Sequence, residues 1–351
     1  MRKLFILFAA VAFVFAFTAP AKADVNFSGY VAFHTYMVDV ANVAPAKDSS
    51  DLDWTMDRTC SRLTINFKEG PVSAVYEIRP NVGSYVRHWF ASWNFGAGTL
   101  GIGQFWTPEF SCISSAMYGC GALDVLDPAC SVRIPFVQLQ FGSLKIAAGE
   151  PSVVMPTGIV AAGYNDTETS LPKLMVSYDL NVAMVGLKLF GGYNSVDARN
   201  STTDQTQGID SYVVGLTASM GFGPLSVKAQ VWQGSNPVEY GAGAPGFAAA
   251  WNGTAVVDAS CLWYGLDLAY KVSDMITVTA GYMTGQSESD APGTNEDPAT
   301  TYHVNATITL AKGVTITPEY MVYDQDDVTN AGVKTEEASQ SVMGVYWKIA
   351  F

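Results

Sequence analysis

Tyr302-His303-Val304-Asn305-Ala306-Thr307-Ile308-Thr309-Leu310 is the stretch that decides the fold. Tyr302, Val304, Ala306, Ile308 and Leu310 fall on one side of an extended chain, and His303, Asn305, Thr307 and Thr309 fall on the other. A period of two marks a strand with one apolar and one polar face. The C-terminus obeys the same rule, with Met343, Val345, Trp347, Ile349 and Phe351 alternating with Gly344, Tyr346, Lys348 and Ala350. Leu262, Tyr264, Leu266, Leu268 and Tyr270 oppose Trp263, Gly265, Asp267, Ala269 and Lys271. Val72, Ala74, Tyr76 and Ile78 oppose Ser73, Val75, Glu77 and Arg79.

Outward from these segments the alternation recurs about every 20 residues, with no sustained helical period after Asp24. Soluble sandwiches also alternate, so the connections must discriminate. Short turns at 68–71, 96–98, 142–143, 221–224, 273–274 and 311–313 mostly alternate with long polar loops. The loops are 38–56, 106–130, 151–170, 194–208, 234–258, 286–298 and 325–338. Short turns at one end and long loops at the other predict a transmembrane antiparallel β-barrel with periplasmic turns and extracellular loops. About sixteen strands are expected, an even number that returns both termini to the turn side, with fourteen and eighteen as alternatives.

The physics supports that choice. Lipid cannot satisfy backbone N–H and C=O groups, so spanning strands must close into a ring. Aromatic residues near strand ends, including Trp93, Phe95, Tyr270, Tyr282, Tyr302, Tyr320 and Trp347, suit the headgroup zone. A ring this wide is not filled by its own side chains and should hold water. The inward face carries Arg58, Arg62, Thr64, Asn66, Glu77, Arg79, Asn305, Glu319 and Lys348, a set that a dry core would not tolerate unpaired.

Composition agrees. Only 15% of the 351 residues are charged, against about 25% in soluble domains. The mean hydropathy of +0.16 is too low for several spanning helices. Arg2 and Lys3 precede an apolar run over 4–17 and an Ala21-Lys22-Ala23 cleavage site, so 1–23 reads as a signal peptide and 24–351 as one barrel domain. Removing the leader takes the net charge from −13 to −16, which argues against a nucleic-acid partner. Cys112, Cys120 and Cys130 share one loop, while Cys60 and Cys261 lie in expected strands. A disulfide within the loop and free thiols are both open, and the spacing offers no zinc or haem motif. No cofactor is expected. Asp324, Asp326 and Asp327 form a weak calcium candidate that lacks the glycine and distal glutamate of a dedicated loop.

Three segments give the chain a resemblance to the general diffusion porins of Gram-negative outer membranes. Cys60-Ser61-Arg62-Leu63-Thr64-Ile65-Asn66-Phe67-Lys68-Glu69-Gly70 resembles that family's second strand. Arg87-His88-Trp89-Phe90-Ala91-Ser92-Trp93, with Gly98-Thr99-Leu100-Gly101-Ile102-Gly103-Gln104-Phe105-Trp106-Thr107-Pro108, resembles its fourth and fifth strands. Phe351 matches the terminal aromatic that the family's assembly machinery recognises.

The resemblance implies an inward-folded third loop, here 106–130, whose Glu109, Asp124 and Asp127 would face a basic wall at the constriction. Arg62, Arg87 and Arg133 match the wall positions, with Arg58 and Arg79 beside them. Strict parity with Trp93, Phe95, Val137 and Leu139 turns Arg87 and Arg133 outward, unless bulges intervene, one near Pro135, or the outer face meets a neighbouring subunit. The resemblance further implies a homotrimer in the outer membrane among lipid and lipopolysaccharide.

The implied function is a water-filled channel for passive diffusion of ions and small hydrophilic solutes. A substrate-selective channel, with Trp89, Trp93, Phe105 and Trp106 as a slide, is the alternative, and a surface adhesin is a third. An enzyme is not expected, because His34, His88 and His303 sit in no Ser/His/Asp pattern.

Overall fold

The computed structural model describes residues 23–42, 46–57, 60–79, 85–118, 133–156, 158–242, 246–293 and 295–351. The expected leader therefore lies outside the described residues, apart from Ala23.

Sixteen antiparallel strands form a closed barrel. They are β1 Asp24–Ala41, β2 in two segments Ser49–Met56 and Arg62–Glu69, β3 Val72–Arg79 and β4 Tyr85–Asn94. Next come β5 Thr99–Trp106, β6 Arg133–Phe141, β7 Leu144–Gly149 and β8 in two segments, Tyr164–Glu168 and Lys173–Val182. Then follow β9 Val185–Asn200, β10 Thr206–Phe222, β11 Leu225–Ser235 and a single helical turn α1, Pro237–Tyr240. The last strands are β12 Ala259–Lys271, β13 Ile276–Ser289, β14 Glu296–Ala311, β15 Val314–Gln325 and β16 Ser339–Ala350. Each strand pairs with its neighbour in sequence, and the ring closes where β1 meets β16, from Tyr30 opposite Ala350 to Ala41 opposite Ser339. Closure leaves no edge with unpaired backbone in lipid.

The deciding stretch reads as expected. Tyr302, Val304 and Leu310 are exposed on the outer face, while His303 and Asn305 are buried inside. The loops differ from the expectation. Strands β9 and β10 stay paired up to Arg199 opposite Thr206, and β13 and β14 up to Glu288 opposite Glu296. Much of what reads as polar loop is therefore strand, because a ladder continues above the membrane after the apolar alternation has ended. A seventh short turn sits at Ala183–Met184. Ala183 adopts φ 54 there, and the turn has no glycine or proline to announce it.

The wall is uneven. Strands β3, β5 and β6 are 8, 8 and 9 residues long, whereas β9, β10 and β14 are 16, 17 and 16. The interior is uneven too, and here the expectation of a polar lumen needs correction. Phe190, Val213, Trp232, Trp263 and Met283 point inward from β9 to β13 and form one buried apolar cluster with Ile113 and Tyr240. Their rings need room at the strand backbone. A Cβ at Gly215 would lie 2.6 Å from the Cβ of Trp232 and also collide with the Phe190 ring. The tall half of the barrel thus has a dry lining, covered from within by the loop that follows β5.

Candidate functional site

Strand β5 ends at Trp106, and Pro108 removes the next ladder donor. The Phe110 amide bonds the Thr107 carbonyl at 3.0 Å, and the chain turns into the lumen. From there it travels along the inner wall strand by strand. Lys188 of β9 donates to the Phe110 carbonyl, Ser111 shares a hydrogen bond with Thr217 of β10, and Gln230 of β11 donates to the Ser111 carbonyl at 3.1 Å. The Ser115 amide and hydroxyl both donate to Asp267 of β12 at 2.9 Å. Asn305 of β14 donates to the Ser115 carbonyl at 2.8 Å.

The described part of the path reaches Glu319 of β15, which accepts the Met117 amide at 2.7 Å and the Tyr118 amide at 2.8 Å. Asn305 Nδ2 donates to the same carboxylate at 3.0 Å. Tyr118 then lies edge-on against Tyr36 of β1 and over His34. Two wall carboxylates, Asp267 and Glu319, therefore act as clamps for the constriction loop. Both stand on the inward parity of their strands, which is the sequence signal that points to them.

Opposite this loop lies a basic wall centred on Glu77. Arg87 Nε donates to Glu77 Oε1 at 2.8 Å, Arg62 Nη1 lies 3.6 Å from the same oxygen, and His88 Nε2 lies 3.8 Å from it. Arg62 also donates to the Tyr30 hydroxyl at 2.5 Å, and its guanidinium shares the Tyr30 ring with Lys348. A register shift explains how Arg87 turns inward. Glu77 faces His88 while Ile78 faces Val86, so Arg87 is the extra residue of a bulge. A bulge lets consecutive side chains share one face, and Arg87 and His88 are both buried.

No such bulge occurs near Pro135, because β5 and β6 stay in register from Thr99 opposite Gln140 to Trp106 opposite Arg133. Arg133 instead lays its guanidinium 4.2 Å from the Trp106 ring, which stacks on Phe110 and meets His88 edge-on. Arg79 stands opposite Tyr85 at the end of β3. Arg58, Asp124 and Asp127 lie outside the described residues.

The family model for Gram-negative porins matches residues 9–328. The chain belongs to the Gram-negative porin family. It is an outer-membrane channel for passive diffusion of solutes. Among solved structures it is similar to the outer membrane channel DcaP of Acinetobacter baumannii, with TM-score 0.73, 16% identity and cover of 95% of this chain and 99% of that one. It is also similar to the anion-selective porin from Comamonas acidovorans, with TM-score 0.60, 13% identity and cover of 94% and 100%. A trimer form of OmpT from Vibrio cholerae gives TM-score 0.55, 14% identity and cover of 94% and 99%. A comparison with curated proteins finds no match.

Glu109 of this porin does not face the arginines. It is fully enclosed, and its Oε1 accepts the Tyr240 hydroxyl at 2.7 Å. Burial pushes the Glu109 carboxyl above the usual carboxylate range, with the Lys173 ammonium acting against the shift. The aromatic slide is also divided. Phe105 stacks inside with Phe90 and Phe136, but Trp89 and Trp93 are 70% and 49% exposed on the outer face.

Among the cysteines, Cys60 is disulfide-bonded and stands at the break between the two segments of β2, not inside a strand. Cys112 and Cys261 keep their thiols outside any disulfide, while Cys120 and Cys130 lie outside the described residues. Among the described residues no group of three or more His, Cys, Asp or Glu side chains is disposed to hold a metal ion, and Asp324, Asp326 and Asp327 are not gathered into such a set.

Proposed function

We propose that solutes pass between the constriction loop and the basic wall of β1 to β6, and that this passage favours small anions despite the acidic chain. The observation that carries the reading is the asymmetry of charge use. Asp267 and Glu319 accept the loop's own donors, whereas Arg62 and Lys348 share a tyrosine face and Arg62 and Arg87 share one carboxylate. A basic wall in a narrow, partly dehydrated passage concentrates anions. Arg79 and Arg133 belong to the same wall in this reading.

Reversal potential in a salt gradient tests the proposal. The wild-type porin should read as anion-preferring, and Arg62→Ala should move the potential toward cations. An unmoved potential removes Arg62 from the passage.

The stacked Phe90, Phe105 and Phe136 rings favour a second, selective reading, in which an organic solute would block ion current saturably. No catalytic step enters either reading.

We infer a homotrimer that joins through the short-strand side. An outer groove of about 540 Å³ lined by Ala74, Val86, Trp89, Ile102 and Pro135 supports this. Eight-residue strands tilted by about 40° rise only about 20 Å, less than the apolar band of about 25 Å, so a neighbouring copy would cover what lipid fits poorly. The remaining wall would contact lipid and lipopolysaccharide. Phe351, whose backbone exchanges hydrogen bonds with Gly29 at 3.0 Å in both directions, would be the handle for the barrel assembly machinery.

A further inference from the structure

Tyr240 belongs to the segment that joins β11 to β12, a connection on the loop side of the barrel, yet it is fully buried. The segment is built to aim it inward. Asn236 holds a left-handed backbone at φ 49, a conformation asparagine tolerates better than most residues. Its Nδ2 donates to the Asp210 carbonyl at 2.7 Å and to Asp258 at 2.8 Å, and its Oδ1 accepts the Ala259 amide at 2.8 Å. Pro237 opens the turn and Gly241 closes it at φ 85.

At the end of this turn three remote pieces of chain meet. The Tyr240 hydroxyl donates to Glu109 of the constriction loop at 2.7 Å. Lys173 of β8 donates to the Tyr240 carbonyl at 2.7 Å, and its ammonium lies 3.5 Å from the Tyr240 ring centroid. Glu109, Lys173 and Tyr240 are 0%, 2% and 0% exposed, so none of the three can substitute water for a lost partner. Strand β9 makes room for the phenol with a glycine. A Cβ at Gly192 of β9 would fall inside the Tyr240 hydroxyl and 2.8 Å from the ring carbon that bears it.

We propose that Tyr240 is the positioning residue of the constriction loop, fixing the loop's first turn through Glu109 against the wall of β8 and β9. The loop beyond Ile113 is held by Asp267 and Glu319, and at its entry from β5 the Tyr240 contact fixes Glu109 just before the bonds that Lys188, Thr217 and Gln230 make to Phe110 and Ser111. The connection between β11 and β12 is then a second inward element of the channel, working through the loop and not on the solute.

Single-channel recordings of the purified full-length porin test the assignment. Tyr240→Phe keeps the ring and the carbonyl and removes only the hydroxyl. The ratio of docked to undocked loop entry should fall by about 10- to 100-fold, the scale for losing a hydrogen bond to a charged group. It would be read as brief current steps absent from the wild type.

Gly192→Ala, which crowds the same hydroxyl from the strand side, should produce the same steps. Tyr240→Phe should still migrate on a gel as a closed, folded barrel, which separates loss of loop positioning from misfolding. A Tyr240→Phe/Glu109→Gln double variant should fluctuate no more than the worse single variant, because both act on one bond. A quiet Tyr240→Phe channel would overturn the proposal, and so would steps that add up in the double variant. Neither result bears on ion preference, which the reversal potential measures separately.

Discussion

The two halves of this barrel use the same strand geometry for opposite ends. On the tall side, β9 to β13 turn large apolar side chains inward and seal them under the constriction loop, with Trp232 and Trp263 at 1% and 0% exposure. On the short side, β1 to β6 turn Arg62, Glu77, Arg87 and His88 inward against the passage. The lesson is that a sixteen-strand ring is not obliged to be wet throughout. A loop pinned to one wall converts half of the interior into a protein core and leaves transport to the other half.

That contrast can be broken at its strongest point first. Trp263→Ala should empty a closed site on the dry side and cost about 3–5 kcal/mol, read as a lower unfolding temperature on a gel, whereas Ser73→Ala on the basic side should stay within about 0.5 kcal/mol. Equal losses would mean that the halves are packed alike. Glu319→Ala should be next in size. Removing the acceptor leaves the Met117 and Tyr118 amides and Asn305 without their partner, at about 1.5–3 kcal/mol. The channel should then conduct more and fluctuate more while the barrel stays closed, and an unaltered current would take Glu319 out of the clamp. The smallest effect belongs to Trp89→Ala. Its ring lies on the outer face, so conductance and reversal potential should match the wild type, and a changed conductance would return Trp89 to the solute path.

The sequence was most legible where one local rule governs each residue. Alternation in 302–310 and 343–351 assigns lipid and lumen faces correctly, because burial at period two needs no knowledge of distant residues. Arg62, which lies 3.6 Å from Glu77, shares the parity of that residue. Arg87 does not follow from parity, since its inward turn depends on a bulge, and a single inserted residue leaves no periodic trace in an eight-residue window. Arg133 shows the opposite case, where the bulge that would have turned it inward is absent and Trp106 holds the guanidinium. Glu109 was legible as a loop acid but not as an enclosed one. Its partner Tyr240 is 131 residues away, in a connection that looks like polar loop. The dry lining was hidden for a related reason. Phe190, Val213, Trp232 and Trp263 share the inward parity with polar residues, and only the loop packed over them makes that face a core.

Thiol accessibility tests the division of the interior most directly. In a porin with its native cysteines replaced by alanine, single cysteines at Ser73 and at Met283 would be exposed in turn to a charged, water-soluble thiol reagent while ion current is recorded. The division into a conducting and a sealed half predicts a stepwise fall in current for the cysteine at Ser73 and no change for the one at Met283. Reaction and block at 283, with an unaffected current at 73, would contradict it.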